Sequence, residues 1–349
     1  MKTFIDENMI VPGKIERDDV VWYDASEKPF VIYGADNKYN RLPLDFPILS
    51  AFRDQATGVR VRFTTDSPFV AIRCILSSRG FPLTMSATAV GGFDLYKRKE
   101  DSGEVYVNTF RMPQDCTDTG YESLVTTSGE NTYTINAPVF SHIEALFIGV
   151  KEGSKVSEPK KYNYLEKPIV FYGSSITNGA SASRPGNSYC AMISQMLGAN
   201  YLNMGFSGNA RGEQVIADYI AKKDMCAFVL DYHHNAYDLE ILRATHYNFY
   251  KTVRLKNPFI PIVMVTAPTV TPDDSWIAEG VKIIQQTYQR AKEEGDKYVY
   301  FVDGCHLYDG EFQDSCTVDG CHPNDLGFFR MAKGIGRTLA AALETGFKP

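Results

Sequence analysis

The sequence holds no run approaching the roughly 18 apolar residues of a membrane-spanning helix, so no segment reads as transmembrane. Its first residues, Met1 to Asn8, carry a lysine with no apolar stretch behind it and do not form a secretory signal as they stand. Cysteine is sparse: seven residues, scattered, with no CxxC pair. An odd count in a long chain argues against a disulfide scaffold, and a reducing cytoplasm is the expected compartment. A Cys316–Cys321 or Cys305–Cys321 bridge enters only if a signal has been removed and the protein is exported. Excess positive charge is missing too. A net charge of -6 with no polybasic cluster excludes a nucleic-acid partner held by phosphate neutralisation. HExxH, a phosphate-binding loop and a GxGxxG fingerprint are absent, so no metal and no organic cofactor is called for. There is no internal repeat and no low-complexity tract.

What is present is enough for a packed core. Of the 349 residues, 44% are apolar and 22% charged, and the length suggests two domains at roughly 100–200 residues each. The first 150 residues read as short strands rich in β-branched and aromatic side chains: Val20–Tyr23, Phe30–Tyr33, Val59–Phe63, Val70–Ile75, Val105–Phe110, Tyr133–Ile135 and a last one at Glu144–Val150. Several alternate apolar with polar, as half-buried antiparallel strands do. Turn signals fall between them at Gly34–Asn37 and Asp118–Gly120. This predicts an antiparallel, jelly-roll-like β-sandwich over residues 1–150. Residues 151–166 are polar and charged and read as a linker.

Over 167–349 the rhythm changes to strand–helix alternation. Strands are expected at Ile169–Tyr172, Tyr201–Met204, Ala227–Leu230, Ile262–Val265 and Tyr298–Val302. Helices are expected at Tyr189–Leu197, Glu213–Ala221, Leu239–Leu255, Trp276–Glu293 and Asp325–Glu344. Repeated βαβ units predict a three-layer α/β/α domain with a five-stranded parallel sheet.

In open α/β sheets ligands bind beyond the carboxyl ends of the strands, so the chemistry is sought in the loops there. After the first strand, Gly173–Gly179 contains a serine pair in a strand-to-helix turn. Such a serine is exposed beside helix N–H donors, as a nucleophile needs, although serine and threonine also serve as plain helix caps. After the second, Asn203–Asn209 holds glycines that let a backbone N–H face a ligand, or simply make a turn. After the third, Asp231–Ala236 gathers polar side chains, which fit either a pocket or the polar rim of a sheet. Near the end comes Asp319-Gly-Cys-His322-Pro323, in which the carboxylate can reach the imidazole Nδ1–H and hold its tautomer.

Taken together, Gly-x-Ser, Gly, Asn and Asp-x-x-His-Pro, in that order and each at a strand end, resemble the blocks of the SGNH (GDSL-like) hydrolase superfamily. The resemblance covers about 167–347 and implies a role for each matching position. Ser175 would be the nucleophile and His322 the general base, oriented by Asp319. The oxyanion hole would comprise the Ser175 N–H, the Gly208 N–H and the Asn235 side-chain amide. The chain departs from the usual pattern twice. Ser174 replaces the common Asp of Gly-Asp-Ser, and the Asn block reads His233-His234-Asn235-Ala236 rather than Gly-x-Asn-Asp. Register with the block favours Ser175 over Ser174. A second resemblance lies at Gly92-Phe-Asp-Leu-Tyr96, which is similar to the GxDLY motif of a β-rich domain preceding some GDSL-like lipases/acylhydrolases. Its Asp94 reads either as the stabiliser of a bend in a strand or as a direct substrate contact.

The resemblance implies a carboxylic ester hydrolase working through an acyl-enzyme, with no cofactor. The expected partner is a small-molecule ester, an acetylated saccharide being favoured, with no nucleic acid and no membrane; a homo-oligomer stays open. No long apolar lid is evident, which favours short acyl groups. His233, His234 and Asn178, with Asn209, are candidate substrate contacts at the pocket rim. Cys321 reads as a packed thiol rather than a redox centre. The alternatives are an acyltransferase using the same acyl-enzyme, a lipase- or thioesterase-type acylhydrolase, and a binding protein with a dead site. The last conflicts with four filled catalytic positions.

Overall fold

A computed structural model of the chain describes residues 14–78, 84–99, 103–113, 120–162 and 165–344. Met1 to Asn8, and Asp118 and Thr119 of the expected turn, lie outside the described residues. The chain divides into two compact units. One takes in Met1–Tyr162 with Ser183–Gly186; the other takes in Asn163–Ala182 with Asn187–Pro349.

The first unit is an antiparallel β-sandwich. Its strands are β1 (Val20–Asp24), β2 (Val31–Tyr33), β3 (Arg60–Thr65), β4 (Phe69–Ser78), β5 (Phe93–Arg98), β6 (Glu104–Phe110), β7 (Gly120–Thr126), β8 (Asn131–Asn136), β9 (His142–Lys151) and β10 (Val156–Ser157), with two single-turn helices, α1 (Ser50–Arg53) and α2 (Ala87–Val90). One sheet runs β1-β9-β4-β7; the other runs β10-β3-β8-β5-β6, with β2 also on β3. Alternate residues of both sheets meet in a shared core: Val61 and Phe63 of β3 and Tyr133 and Ile135 of β8 join Ile72 and Cys74 of β4 and Leu146 and Ile148 of β9. This is the period-2 burial that the alternation predicts.

Two strands escape that pattern. In β7, Tyr121 and Val125 face the core, while Glu122 on the opposite face is buried too, as the partner of Arg73, so burial does not alternate. In β5, which carries the GxDLY-like motif, Phe93 and Leu95 face the core, and Asp94 lies buried on the opposite face. Its carboxylate is fully buried and accepts from Asn136 Nδ2 at 2.7 Å, the Gly186 N–H at 2.7 Å and Arg184 Nη1 at 3.1 Å. Buried charge persists only when paired and hydrogen-bonded, and here the partners include the Ser183–Gly186 segment that belongs to this unit. Asp94 is therefore an internal anchor and is not open to a ligand.

The boundary at 150 and the linker at 151–166 need correcting. Lys151 still belongs to β9, β10 pairs with Thr64 and Thr65 of β3, and Tyr162 lies against Arg62, whose guanidinium sits 4.0 Å from its ring centroid. A short polar edge strand has the composition of a linker, so periodicity does not separate the two.

The second unit contains β11 (Leu165–Gly173), α3 (Ser175–Asn178), α4 (Tyr189–Leu197), β12 (Ala199–Gly205), α5 (Gln214–Ala221), β13 (Ala227–Asp231), α6 (Leu239–Lys256), β14 (Ile262–Val265), α7 (Ser275–Glu293), β15 (Val299–Val302) and α8 (Asp325–Ala342). The sheet is entirely parallel, in the order β12-β11-β13-β14-β15. On the helix layers, α4 packs with α8, while α5, α6 and α7 pack in succession. The order reverses at β11, whose two neighbours β12 and β13 follow it in sequence. Such a switch point opens a crevice at the strand ends, and both Ser175 and Asn235 lie in loops that leave strands meeting there.

Candidate active site

The turn after β11 is shaped by close approach. A Cβ at Gly173 would lie 2.1 Å from Thr177 Oγ1 and 2.2 Å from the Asp231 carbonyl oxygen, so only glycine fits. Ser174 then caps α3: its Oγ accepts from the Ile176 N–H at 3.1 Å, and the residue is 1% exposed. That bond is the ordinary work of an N-cap serine. Ser175 is the first helical residue, so its own N–H is among those with no acceptor inside the helix. The two serines are thus separated by geometry: one is tied to the backbone and the other is turned outward.

Ser175 Oγ stands 2.9 Å from His322 Nε2, and His322 Nδ1 stands 2.7 Å from Asp319 Oδ2. The second carboxylate oxygen, Oδ1, accepts from the His322 N–H at 2.7 Å and the Cys321 N–H at 3.0 Å. Asp319 therefore cannot rotate away from the imidazole without breaking two backbone bonds. Burial works to raise its pKa, but the His322 and Cys321 donors outweigh it and hold the carboxyl below its ordinary value. The consequence is a fixed order of donors: Nδ1–H to Asp319, leaving Nε2 to accept from the serine hydroxyl.

A cavity of about 340 Å³ opens at Ser175 and His322, bordered by His234, Asn235 and Cys321 and walled by two aromatic residues, Tyr237 and Trp276. This is within the usual range for a small-molecule pocket. Asn235 Nδ2 donates to the Phe206 carbonyl at 2.9 Å. A side-chain amide has two N–H groups, so one binds the loop after β12 while the other is left for the cavity. Gly208 sits in that loop at φ +68, with nothing within 4 Å of the space a Cβ would take. It is not among the residues bordering the cavity.

The other candidate contacts divide. His234 borders the cavity, but its Nε2 lies 2.9 Å from the Pro268 carbonyl and its Nδ1 is 3.7 Å from Cys321 Sγ. The first bond requires Nε2–H, so Nδ1 is the acceptor for the thiol. Burial pushes His234 down to about 4, against the Pro268 bond, with His322 adding to the fall. His233 is fully buried instead: Nδ1 accepts from the Ala267 N–H at 3.0 Å, and its ring packs on Trp276 at 4.7 Å between centroids. It joins the loop after β13 to the one after β14 and does not reach the cavity. Asn178 is also fully buried, at the end of α3, and is not a rim residue. Asn209 is exposed, with its Nδ2 donating to the Ser207 carbonyl at 2.8 Å. Cys321 is a free thiol raised to about 11 by burial and by Asp319, which suits packing rather than redox chemistry.

Sequence reasoning missed Trp276 and Tyr237. Trp276 is in the first turn of α7, where the Asp274 cap bonds its N–H at 2.8 Å, and its position at a helix start resembles that of any core-facing aromatic. Tyr237 follows Asn235 by two residues and is 71% exposed; proximity to the Asn block is the signal that was available. Among the described residues, no group of three or more His, Cys, Asp or Glu side chains is gathered so as to hold a metal ion, and no helix is long and apolar enough to cross a membrane.

Comparison with known proteins bears on this geometry. The profile of the GDSL-like lipase/acylhydrolase family matches residues 166–340, and that of the GxDLY domain, described as the N-terminus of SGNH-hydrolase-type esterases, matches residues 20–156. Among solved structures, a Bacteroides ovatus protein designated GDSL-like lipase is similar with a TM-score of 0.83 and 26% identity, over 95% of this chain and 100% of that one. A salicylyl-acyltransferase from a tetracycline biosynthetic pathway has a TM-score of 0.73 and 18% identity, over 93% and 98%. An acetyl xylan esterase from the rumen bacterium Butyrivibrio proteoclasticus has a TM-score of 0.58 and 13% identity, over 93% and 99%. At those identities the last two likenesses concern the fold. No curated protein sequence matches the chain.

Proposed function

The chain belongs to the GDSL-like lipase/acylhydrolase family, a carboxylic ester hydrolase of SGNH type, and from that premise we propose that it cleaves short acyl esters, acetyl foremost, of a sugar or similar polyhydroxylated alcohol. The observation that carries this reading is the unbroken relay from Asp319 through His322 to Ser175, with bonds of 2.7 and 2.9 Å. Ser175 Oγ attacks the ester carbonyl as its proton passes to His322 Nε2. Asp319, held ionised, stabilises the imidazolium. The Ser175 N–H and the free N–H of Asn235 receive the developing oxyanion, with the Gly208 N–H added by the family resemblance alone, a task in which one donor typically contributes about 10²–10³ in rate. His322 returns the proton to the leaving alcohol, then activates water against the acyl-enzyme.

The substrate reading draws on the cavity walls. Trp276 packs on His233 at 4.7 Å between ring centroids and lines the cavity, which supports reading it as a wall against long acyl chains. Exposed Tyr237 offers an aromatic face to an alcohol at the mouth, the arrangement on which a sugar ring stacks. The fold shared with an acetyl xylan esterase supports the same direction. A p-nitrophenyl ester series from C2 to C12, then acetylated oligosaccharides with released acetate measured, tests it. Highest kcat/KM at C2 with acetate released from a sugar supports the proposal; a maximum at C8 or longer refutes it.

A second reading is acyl transfer, favoured by the structural likeness to an acyltransferase. The acyl-enzyme would be taken by an alcohol in place of water. A mass balance of free acid against acylated acceptor separates the two.

A further inference from the structure

Beneath the nucleophile lies a carboxylate that the mechanism above does not use. Asp231, the last residue of β13, is 3% exposed. Its Oδ2 accepts from the Tyr189 hydroxyl at 2.9 Å and from Thr177 Oγ1 at 3.3 Å, and those two hydroxyls are themselves 3.0 Å apart. Thr177 and Tyr189 are both fully buried. The titratable groups facing Asp231 are Tyr189 and Cys190 from α4 and Tyr308 from the segment after β15; none is a cation. A buried carboxylate without a countercharge is costly to maintain, and burial pushes this one up to about 7 against the pull of the two hydroxyls.

The place of this triad in the fold gives it a task. The helix that begins with Ser175 has only four residues, too few to fix its own direction. Its orientation must come from tertiary bonds, and at Thr177 these are the hydroxyl bond to Asp231, shared at that oxygen with the adjacent Tyr189 hydroxyl, and a bond from Asn203 Nδ2 to the Thr177 carbonyl at 2.7 Å. We propose that Asp231 is a positioning residue, whose carboxylate holds the nucleophile helix through the Thr177 hydroxyl and so sets the line along which Ser175 meets His322 and the ester carbonyl. Loss of its charge, by substitution or by acid, weakens both hydroxyl bonds and lets the helix turn. The inference rests on Ser175 being the nucleophile.

The test compares Asp231→Asn, Thr177→Val and Thr177→Ser in the full chain with a chromogenic acetyl ester and a fluorophosphonate. The Asp231→Asn substitution keeps shape without charge, so kcat and the labelling rate should fall by about ten- to a hundredfold, as small misplacements of a reacting group do, with KM little changed. A histidine base alone gives one ionisation on the acid limb of kcat/KM; with Asp231 also required ionised, the wild-type limb should approach a slope of two and that of Asp231→Asn a slope of one. Thr177→Ser should restore what Thr177→Val loses, and this pair decides the matter if Asp231→Asn does not fold. Wild-type kcat in folded Asp231→Asn and Thr177→Val overturns the proposal, as does a lowered kcat with an acid limb of unchanged slope, which marks a merely structural role. Fluorophosphonate on Ser175 in the wild type with unaffected variants would refute this inference alone; absence of label on Ser175 would refute the nucleophile assignment on which it rests.

Discussion

Two loops at the carboxyl end of one sheet carry histidines, and the fold treats them in opposite ways. The loop after β13 holds His233 and His234, and among the described residues no carboxylate bonds to either ring. Burial pushes them down to about 3 and about 4, and each commits a ring nitrogen to a neighbouring backbone group. The loop before α8 holds His322 with its side chain 29% exposed and Asp319 locked on Nδ1. The first pair is kept neutral by its surroundings; His234 borders the cavity and His233 supports the loop behind it. The second has the partner that lets an imidazole accept a proton and give it back. What sets His322 apart, and makes it the base we propose, is the carboxylate three residues earlier and the exposure of its ring, not the presence of histidine near a strand end.

The sharpest way to break this contrast is to delete each ring in turn. His322→Ala should lower kcat on an acetyl ester by about 10⁴–10⁶-fold, in line with removal of a general base from a serine relay. His234→Ala should cost no more than about tenfold, mostly in KM, because no proton passes through it. Comparable losses in steady-state assays would erase the distinction. Asp319→Asn comes next. It leaves the imidazole in place but reverses the donor order at Nδ1, and a loss of about 10³–10⁴-fold in kcat is expected. A loss below tenfold would show that the bonded carboxylate is dispensable.

The wall side of the comparison predicts a change of specificity. Trp276→Ala deepens the cavity beside His233 and His234. The preference for acetyl over butyryl esters should fall by about tenfold or more, since a methylene in such a pocket is worth roughly 1–3 kcal/mol. An unchanged chain-length profile would remove Trp276 from the acyl wall.

The smallest effect is on stability. His233 and His246 are buried, and burial lowers both to about 3 from an ordinary value of 6.5. The unfolded chain therefore binds their protons first, and folded stability rises with pH through this window. The contribution is complete above about pH 6.5 and is lost progressively as the pH falls toward 3, by an amount on the order of a few kcal/mol at pH 4. His246→Phe should flatten the dependence of the urea midpoint on pH between 4 and 6.5. An equally steep dependence in that variant would rule the buried ring out as a cause.

Much of the second unit could be read from residues alone. All five parallel strands and five long helices are signalled by apolar runs and changes of period, and the Ser, Asn and Asp-x-x-His positions stand at strand ends where chemistry is sought. Ser175, Asn235, Asp319 and His322 are brought together by the fold. The failures have specific physical causes. Asn178 and His233 are polar and next to reactive residues, yet the backbone turns both inward, and the direction of a side chain at a loop or helix end is not coded by residue type. Trp276 and Tyr237 look like core and surface aromatics because a cavity wall draws on both. Strands β5 and β7 hide because both of their faces are buried: Asp94 and Glu122, on the face away from the core, are covered and stabilised by partners distant in sequence. The edge strand β10 hides in polar composition.

The central claim is that Ser175, and not the capping serine before it, is the group His322 activates. Intact mass after treatment with a fluorophosphonate, followed by peptide mapping, tests it most directly. One adduct per chain on Ser175 is predicted, kept in Ser174→Ala and abolished in Ser175→Ala and in His322→Ala. An adduct on Ser174, or labelling that survives Ser175→Ala, would contradict it.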